Sequence, residues 1–347
     1  MTKRSISYKN SGVDIEAADR AKKKIKSLAR STFTPEVLSE LGKFGGFYAL
    51  SKKYKDPVLI SSTDSVGTKL KVAFMANKHD TIGQDIVNHC VNDILVHGAK
   101  PLFFLDYIGT SNLSPGMIKD VVKGLSRGCR KAGCALVGGE MAELPGFYNP
   151  GEYDLVGFVV GVVEKNRIID GRKIKPKDQI LGLRSSGLHT NGYSLARKVI
   201  LKLGKFKIND YVPQLKTTVG KELLKIHRSY LNSVHEVLRN HKIKGMAHVT
   251  GGGIAGNLIR ILPENCKALI DLKTWKPHFI FDFIQRTGNI DPQEMFKVFN
   301  MGIGWIMVVS DKEVASLERK LTRLKEKVYH IGEIKSGKRE VRLLNLN

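Results

Sequence analysis

Cysteine is scarce in this sequence, and where it occurs it organises little. Cys90, Cys129, Cys134 and Cys266 form neither a disulfide framework nor a close-spaced ligand pair. That excludes a secreted disulfide scaffold, gives no basis for a structural zinc module, and fits a reducing compartment. Long apolar runs are missing as well. Nothing approaches the roughly 18 uninterrupted apolar residues of a membrane span, and the opening MTKRSISYKNSG has no signal-type hydrophobic stretch. The expectation is a soluble, cytoplasmic protein without a membrane partner. Acidic residues are few, 33 against 57 Lys plus Arg, which leaves a net charge of +24. The basic residues are scattered, without a compact run or interleaved aromatics, so specific nucleic-acid binding is not expected. Such a field also suits anionic metabolites. The phosphate loop GxxxxGK[ST], the dinucleotide fingerprint GxGxxG and the nucleophile elbow G-x-S-x-G are all absent.

What is present divides the chain in two. A length of 347 residues exceeds one ordinary core, and 42% hydrophobic residues suffice for two. The polar stretch RIIDGRKIKPKD marks the boundary, giving domains 1–168 and 169–347. The first reads as helix from Ile15, strand DPVLISSTD, strand KLKVAFMA, helix TIGQDIVNHCVNDILVHGA, strand PLFFLDYIG, helix PGMIKDVVKGLSRGCRKAG and strands CALVGG and YDLVGFVVGVVEK. KFGGFYAL reads as a loop entering a short strand. The second alternates strands with helices at YSLARKVILKLG, GKELLKIHRSYLNSVHEVLRN, PHFIFDFIQRTG, DPQEMFKVF and KEVASLERKLTRLKE. A layered α/β or α+β architecture follows.

Several turns carry acids or glycines where chemistry collects. Asp64 ends an apolar strand: it either accepts backbone N–H groups as an Asx turn or presents a carboxylate at a sheet edge. Lys69 reads as a solvated strand lysine, the alternative being contact with phosphate. Asp85, His89, Asn92 and Asp93 share one helical side opposite the stripe of Ile86, Cys90 and Ile94, which predicts an exposed polar face. If that face looks onto Asp64, the oxygen-rich cluster suits Mg²⁺ bridging to phosphate. Gly138, Gly139 and Glu140 follow CALV: the adjacent glycines either allow close backbone approach, with Glu140 projecting from the loop, or form an ordinary tight turn. In HTNGYS, Thr190 or Asn191 caps a helix, or the helix N-terminus meets an anion. Gly251, Gly252 and Gly253, beside His248 and Thr250, are able to form a backbone anion nest. These features point to a magnesium–nucleotide enzyme without a standard phosphate loop, and do not name its substrate.

The ordered motifs SYKNSGVDIEAAD, STDSVGTKLKVA, GQDIVNHCVNDILVHGAKPLFFLDYI, ALVGGEMAELPGFY, YDLVGFVVGVVE, GLRSSGLHTNGYSLAR, HVTGGGIAGNLIRILP and MFKVFNMGIGWIMVV resemble the phosphoribosylformylglycinamidine cyclo-ligase family from about Ser7 to Val309. The resemblance implies transfer of the ATP γ-phosphoryl group to the formyl oxygen of formylglycinamidine ribonucleotide. The amidine nitrogen then attacks, giving aminoimidazole ribonucleotide, ADP and phosphate in de novo purine biosynthesis. It implies a two-domain synthetase whose N-terminal sheet forms a barrel across a homodimer, followed by a mixed α/β C-terminal domain. By the same resemblance, Asp64, Asp93 and Glu140 look like Mg²⁺ ligands, and Lys9, Asp14, Asp64, Lys69, Asp93, Asp106 and Glu140 look like the ATP side. His189, Thr190, Asn191, Gly251, Gly252, Gly253 and Asn257 look like the substrate side, with His189, Asn191 and Lys69 catalytic.

The sequence departs from the family pattern in places. Ser65 stands where glycine commonly follows the first acid, Thr190 replaces the serine of HSN, and Met141 replaces the threonine of GGETAE. GNLIRILP lacks the glutamate and proline of ENLPR. Related alternatives are thiamine-monophosphate kinase and selenophosphate synthetase. No Cys precedes Cys90 to serve the latter. A silent nucleotide- or RNA-binding protein is the reading from a different class.

Overall fold

A computed structural model describes residues 11–346. Helix α1 (Ile15–Arg30) starts at Asp14, whose carboxylate accepts the Ala17 N–H and caps it. Strand β1 (Pro57–Ser65) alternates outer and inner residues up to the acid. After it come α2 (Leu70–Ala76), α3 (Ile82–Leu95), β2 (Lys100–Thr110), α4 (Pro115–Ala132), β3 (Ala135–Glu143) and β4 (Tyr153–Glu164). These strands form one mixed sheet in the order β1-β4-β2-β3. Only β2 and β3 pair in parallel, across the α4 crossover. Helices α3 and α4 cover one face and cross closely: a Cβ on Gly83 would collide with the backbone of Leu125. The opposite face leaves Leu59 and Phe158 exposed.

The second layer system follows with β5 (Gln179–Arg184), α5 (Tyr193–Arg197), β6 (Tyr211–Val212), β7 (Thr217–Thr218), α6 (Val219–Leu223), α7 (Leu231–Leu238), β8 (Ile243–His248), α8 (Gly253–Leu258), β9 (Cys266–Asp271), α9 (Phe279–Gly288), α10 (Pro292–Val298), β10 (Ile303–Val309), α11 (Val314–Arg323), β11 (Val328–Ser336) and β12 (Glu340–Leu344). Six of its strands make a sheet ordered β12-β9-β11-β5-β10-β8, antiparallel except at β12/β9. Strand β10 is buried on both faces. Trp305, Met307 and Val309 enter the core shared with the first sheet, while Ile306 and Val308 enter a second core under α8. The protein is a two-domain mixed α/β fold. No helix among the described residues is long and apolar enough to cross a membrane.

Three local expectations are corrected. KLKVAFMA is not a strand: Gly67–Lys69 is a 3-10 turn that runs into α2, because tertiary burial of Lys69, Leu70, Val72 and Ala73 overrides the local alternation. GKELLKIHRSYLNSVHEVLRN is not one helix, since α6 and α7 are separated by a loop containing His227. The strand at the end of KFGGFYAL shrinks to a single bridge between Val37 and Tyr48.

Candidate active site

The end of β1, the inner side of α3, the end of β8 and the turn into α8 enclose a cleft of about 470 Å³. Asp64 comes from β1, His89 and Asp93 from α3, and His248 from β8; Thr250 stands at the turn before α8 and Asn257 within α8. The polar side of α3, which its pattern predicts to be exposed, is therefore largely buried. Asp85, His89 and Asn92 are buried because the loop from Lys225 to Tyr230 covers them. The His227 N–H donates to Asp85 at 2.7 Å, and the Asn88 amide donates to the His227 carbonyl at 2.6 Å. Periodicity gave no sign of this cover, because the same residues also fit a continuous helix.

Both acids meet histidine. His89 Nε2 lies 2.8 Å from Asp64 Oδ2 and 3.8 Å from Asp93 Oδ2, so two carboxylates flank one imidazole. His248 Nδ1 donates to Asp93 Oδ1 at 2.8 Å, and Ser62 Oγ donates to Asp93 Oδ2 at 3.1 Å. Asp64 also accepts the Ser65 N–H at 2.7 Å, so it is both an Asx-type acceptor and a cleft carboxylate. Ser65, where glycine is common, still supplies this backbone N–H. Burial pushes each carboxyl up, but histidine bonds and charges outweigh it and hold Asp64 and Asp93 below the usual carboxylate range. The same balance holds His89 above its usual value: burial lowers it, and Asp64 and Asp93 more than restore it.

From His89 a continuous chain runs inward. His89 Nδ1 is 2.8 Å from Thr190 Oγ1, which is 3.2 Å from His227 Nδ1. His227 Nε2 then meets His248 Nε2 at 2.9 Å, and His248 returns to Asp93. Five links join Asp64 to Asp93, whereas three neutral imidazoles and one hydroxyl supply four protons. The chain closes with one further proton. Burial and neighbouring positive groups hold His227 well below its usual value. Burial also depresses His248 despite Asp93, so of these three rings only His89 is shifted toward holding a proton. The Asn92 amide, pinned by Tyr230 N–H and Arg228 C=O, pulls the other way. Its N–H points at His227 Nε2 from 3.3 Å, the longest of these contacts. His189, His227 and His248 bring ligand atoms within 4.8 Å of one another, as do His89, Asp93 and His248. Both nitrogens of His227 and of His248 are already hydrogen-bonded, so a transition ion there would have to break the chain.

Lys69 is neither a solvated strand lysine nor a free phosphate ligand. Its ammonium is fully buried and donates to Asp85 at 2.9 Å, to the His189 carbonyl at 3.1 Å and to the Lys225 carbonyl at 2.7 Å. All three protons are used. Burial draws the lysine down and the aspartate up, against the attraction between them. His189 is buried at φ +63°. Its Nε2 accepts the Ser186 N–H, its ring stacks on His227 at 4.1 Å, and its Nδ1 has no partner. Neither Thr190 nor Asn191 caps α5, whose N-cap is Gly192. The Asn191 side chain instead faces Gly251. Asn257 is bound to the carbonyls of Thr250, Gly251 and Gly253, so it shapes the triple-glycine turn. Gly253 has φ +62° and a Cβ there would strike the Phe296 carbonyl, which makes glycine obligatory.

With this geometry in place, the chain can be compared with known proteins. Residues 49–163 match the family described as AIR synthase related protein, N-terminal domain, and residues 175–345 match its C-terminal domain. The cyclo-ligase of Geotalea daltonii is 54% identical over 96% of both chains. That of Pseudothermotoga lettingae is 54% identical over 97% of this chain and 99% of its own. The chain belongs to the phosphoribosylformylglycinamidine cyclo-ligase family. Members of this family are ligases that close a ring with ATP in purine biosynthesis. The fold is also similar to thiamine-monophosphate kinase from Stenotrophomonas maltophilia (TM-score 0.68, 15% identity, 94% of this chain and 95% of that one). It likewise resembles hydrogenase maturation protein HypE in complex with ATP (TM-score 0.70, 16% identity, 96% and 92%).

The remaining residues implied by the cyclo-ligase resemblance are dispersed. Asp64, Gly157, Asp106 and Gly139 lie in one row across the sheet, so Asp106 is two strands, or about 10 Å, from Asp64. Glu140 is one strand farther and one residue on, which turns it to the opposite face from Asp64. It is exposed and accepts the Met141 N–H. Within the chain, Glu140 is not gathered with Asp64 and Asp93. Asp14 caps α1 and its N–H donates to Glu143 at 2.7 Å, tying the N-terminal segment to the end of β3. Lys9 lies outside the described residues.

Burial pushes the Asp106 carboxyl up to about 7. An acid with a raised native pKa favours folding below its unfolded value and loses that contribution as pH rises through the native value. Thermal melts should therefore show Asp106→Asn gaining on the parent protein between about pH 4 and 7. Parallel melting curves across that window would remove this account.

Proposed function

We propose that the chain closes formylglycinamidine ribonucleotide to aminoimidazole ribonucleotide, consuming ATP and releasing ADP and phosphate. The observation that carries the reading is 54% identity to named cyclo-ligases over almost the whole of both chains. The geometry supports it, because paired carboxylates front a cleft lined by His89, His97 and His248 together with Thr250 and Asn257. An amide-like oxygen leaves poorly, and its phosphorylation turns it into a good leaving group. The cleft's task is then to hold the amidine nitrogen against the activated carbon and keep water away.

Asp64 and Asp93 fit Mg²⁺: both are carboxylates that line the cleft and are held below the usual carboxylate range, and each of their oxygens accepts one hydrogen bond and has a second lone pair. When bound, the ion would neutralise charge on the transferring phosphoryl group. Glu140 and Asp106 lie on other strands of the sheet and are not part of this pair within the chain. His89 and His248 orient the two acids. Asn191 and the Gly251–Gly253 turn form the substrate wall, and the buried Nδ1 of His189 offers a hydrogen-bonding atom beside it. Lys69 acts by fixing the walls, since it ties the β1 turn to the His189 and Lys225 backbones.

The domains divide at 168/169, between the last strand of the first sheet and the first strand of the second. Exposed Leu59 and Phe158 on the outer sheet face favour a homodimer in which the two sheets close into a barrel, removing their solvated apolar face. Sedimentation equilibrium at micromolar concentration should give the mass of two chains; a monomer would remove the barrel. The function itself is tested by incubating the protein with ATP, Mg²⁺ and formylglycinamidine ribonucleotide while following ADP and aminoimidazole ribonucleotide together. ADP without the ring product, or neither, refutes it. A cytoplasmic location is in keeping with this metabolic role.

A further inference from the structure

The chain from Asp64 to Asp93 passes through one group that is not a ring or an acid. The Thr190 hydroxyl is almost fully buried, 2.8 Å from His89 Nδ1 and 3.2 Å from His227 Nδ1. A hydroxyl carries one proton and two lone pairs; accepting from both nitrogens would leave its own proton buried without a partner, so the satisfied arrangement donates to one nitrogen and accepts from the other. It therefore imposes opposite states on the two rings: where one presents N–H at Nδ1, the other presents a bare Nδ1. A carbonyl or carboxylate could not do this, because it only accepts.

We propose that Thr190 is a positioning residue that couples the hydrogen-bonding states of His89 and His227, and through them the orientations of Asp64 and Asp93. On one side His89 Nε2 holds Asp64 at 2.8 Å. On the other, His227 meets His248 at 2.9 Å, and His248 holds Asp93 at 2.8 Å. The two acids come from different elements, β1 and α3, and lie on either side of one imidazole. Each carboxylate has one local partner, the Ser65 N–H for Asp64 and the Ser62 hydroxyl for Asp93, and the histidine–threonine chain adds the link between the two. The hydroxyl is spent on this internal link. Thr190 thus acts through the histidines, in contrast to the substrate contact that the family resemblance implied for it.

Serine satisfies the same two bonds; valine has the same shape as threonine and satisfies neither. Thr190→Val should lower kcat about tenfold or more, with KM for ATP changed by less than about twofold, because buried nitrogens lose their partner. Thr190→Ser should stay within about threefold of the parent. Nitrogen-15 histidine spectra of the parent and Thr190→Ser should show opposite Nδ1 protonation at His89 and His227, and Thr190→Val should lose that relation. The kinetic arm rests on the cyclo-ligase reading, whereas the spectra do not. Like Nδ1 states on both rings in the parent would overturn the proposal. So would an undiminished kcat in Thr190→Val, or equal damage in the serine and valine variants. If the valine variant does not fold, the parent and serine spectra decide alone.

Discussion

Asp64→Ala is expected to lower the rate of aminoimidazole ribonucleotide formation by about a hundredfold or more, since it removes a fixed charge from the cleft to which the proposed function assigns phosphoryl transfer. The carboxylate is held ionised by His89 and by the Ser65 N–H, and nearly half of its side chain faces the cleft. Asp64→Asn is the sharper comparison. It keeps the shape and one acceptor oxygen, for either His89 or the Ser65 N–H, but not the charge. Both variants should lose turnover, and the Mg²⁺ concentration needed for half-maximal rate should rise in each. The thermal midpoint of the asparagine variant should stay close to the parent. Turnover within a few-fold of the parent in both variants would exclude Asp64 from the chemistry.

Lys69→Met is expected to be the most destabilising single change at the site, by about 3–5 kcal/mol, because it leaves the Asp85 charge buried and unpaired. Neither side chain of the pair has solvent access, and the Lys225 and His189 carbonyls lose their donor as well. The double variant Lys69→Met/Asp85→Leu should recover part of the loss, since it removes both charges together. Urea unfolding measures both. A single variant as stable as the parent would mean that the pair is neutral or redundant. Loss of activity in Lys69→Met would follow from displaced walls, so the assay must be read beside the unfolding curve.

These two residues illustrate how far the primary sequence reaches. Asp64 was recognisable because an apolar β-branched run ending in an acid puts that acid at a strand end, and its distance from Asp93 in the chain did not matter once the motifs were ordered. Lys69 was visible as a candidate, but its role was not. The alternation K-L-K-V suits a strand, and only the packing of α2 under Tyr193 and the Lys225 loop turns the ammonium inward. His227 shows the limit most clearly. It stands in a stretch whose composition fits a helix, and the helix breaks because Asp85, Asn88 and Asn92 bind the loop backbone. Those partners are about 140 residues away in sequence, so no local period records them.

The sequence by itself determined the two mixed α/β layers, most strand and helix identities and the family, because these depend on local hydrophobic period, turn residues and ordered motifs. The tertiary structure alone decided which polar groups are buried together. It closed the polar face of α3 beneath a loop, spent Lys69 on Asp85, and joined Asp64 to Asp93 through His89, Thr190, His227 and His248. It also set Glu140 on the far face of the sheet. The physical reason is that a hydrogen bond needs two groups within about 3 Å, and here each such pair is assembled from elements that only the packed sheets bring together.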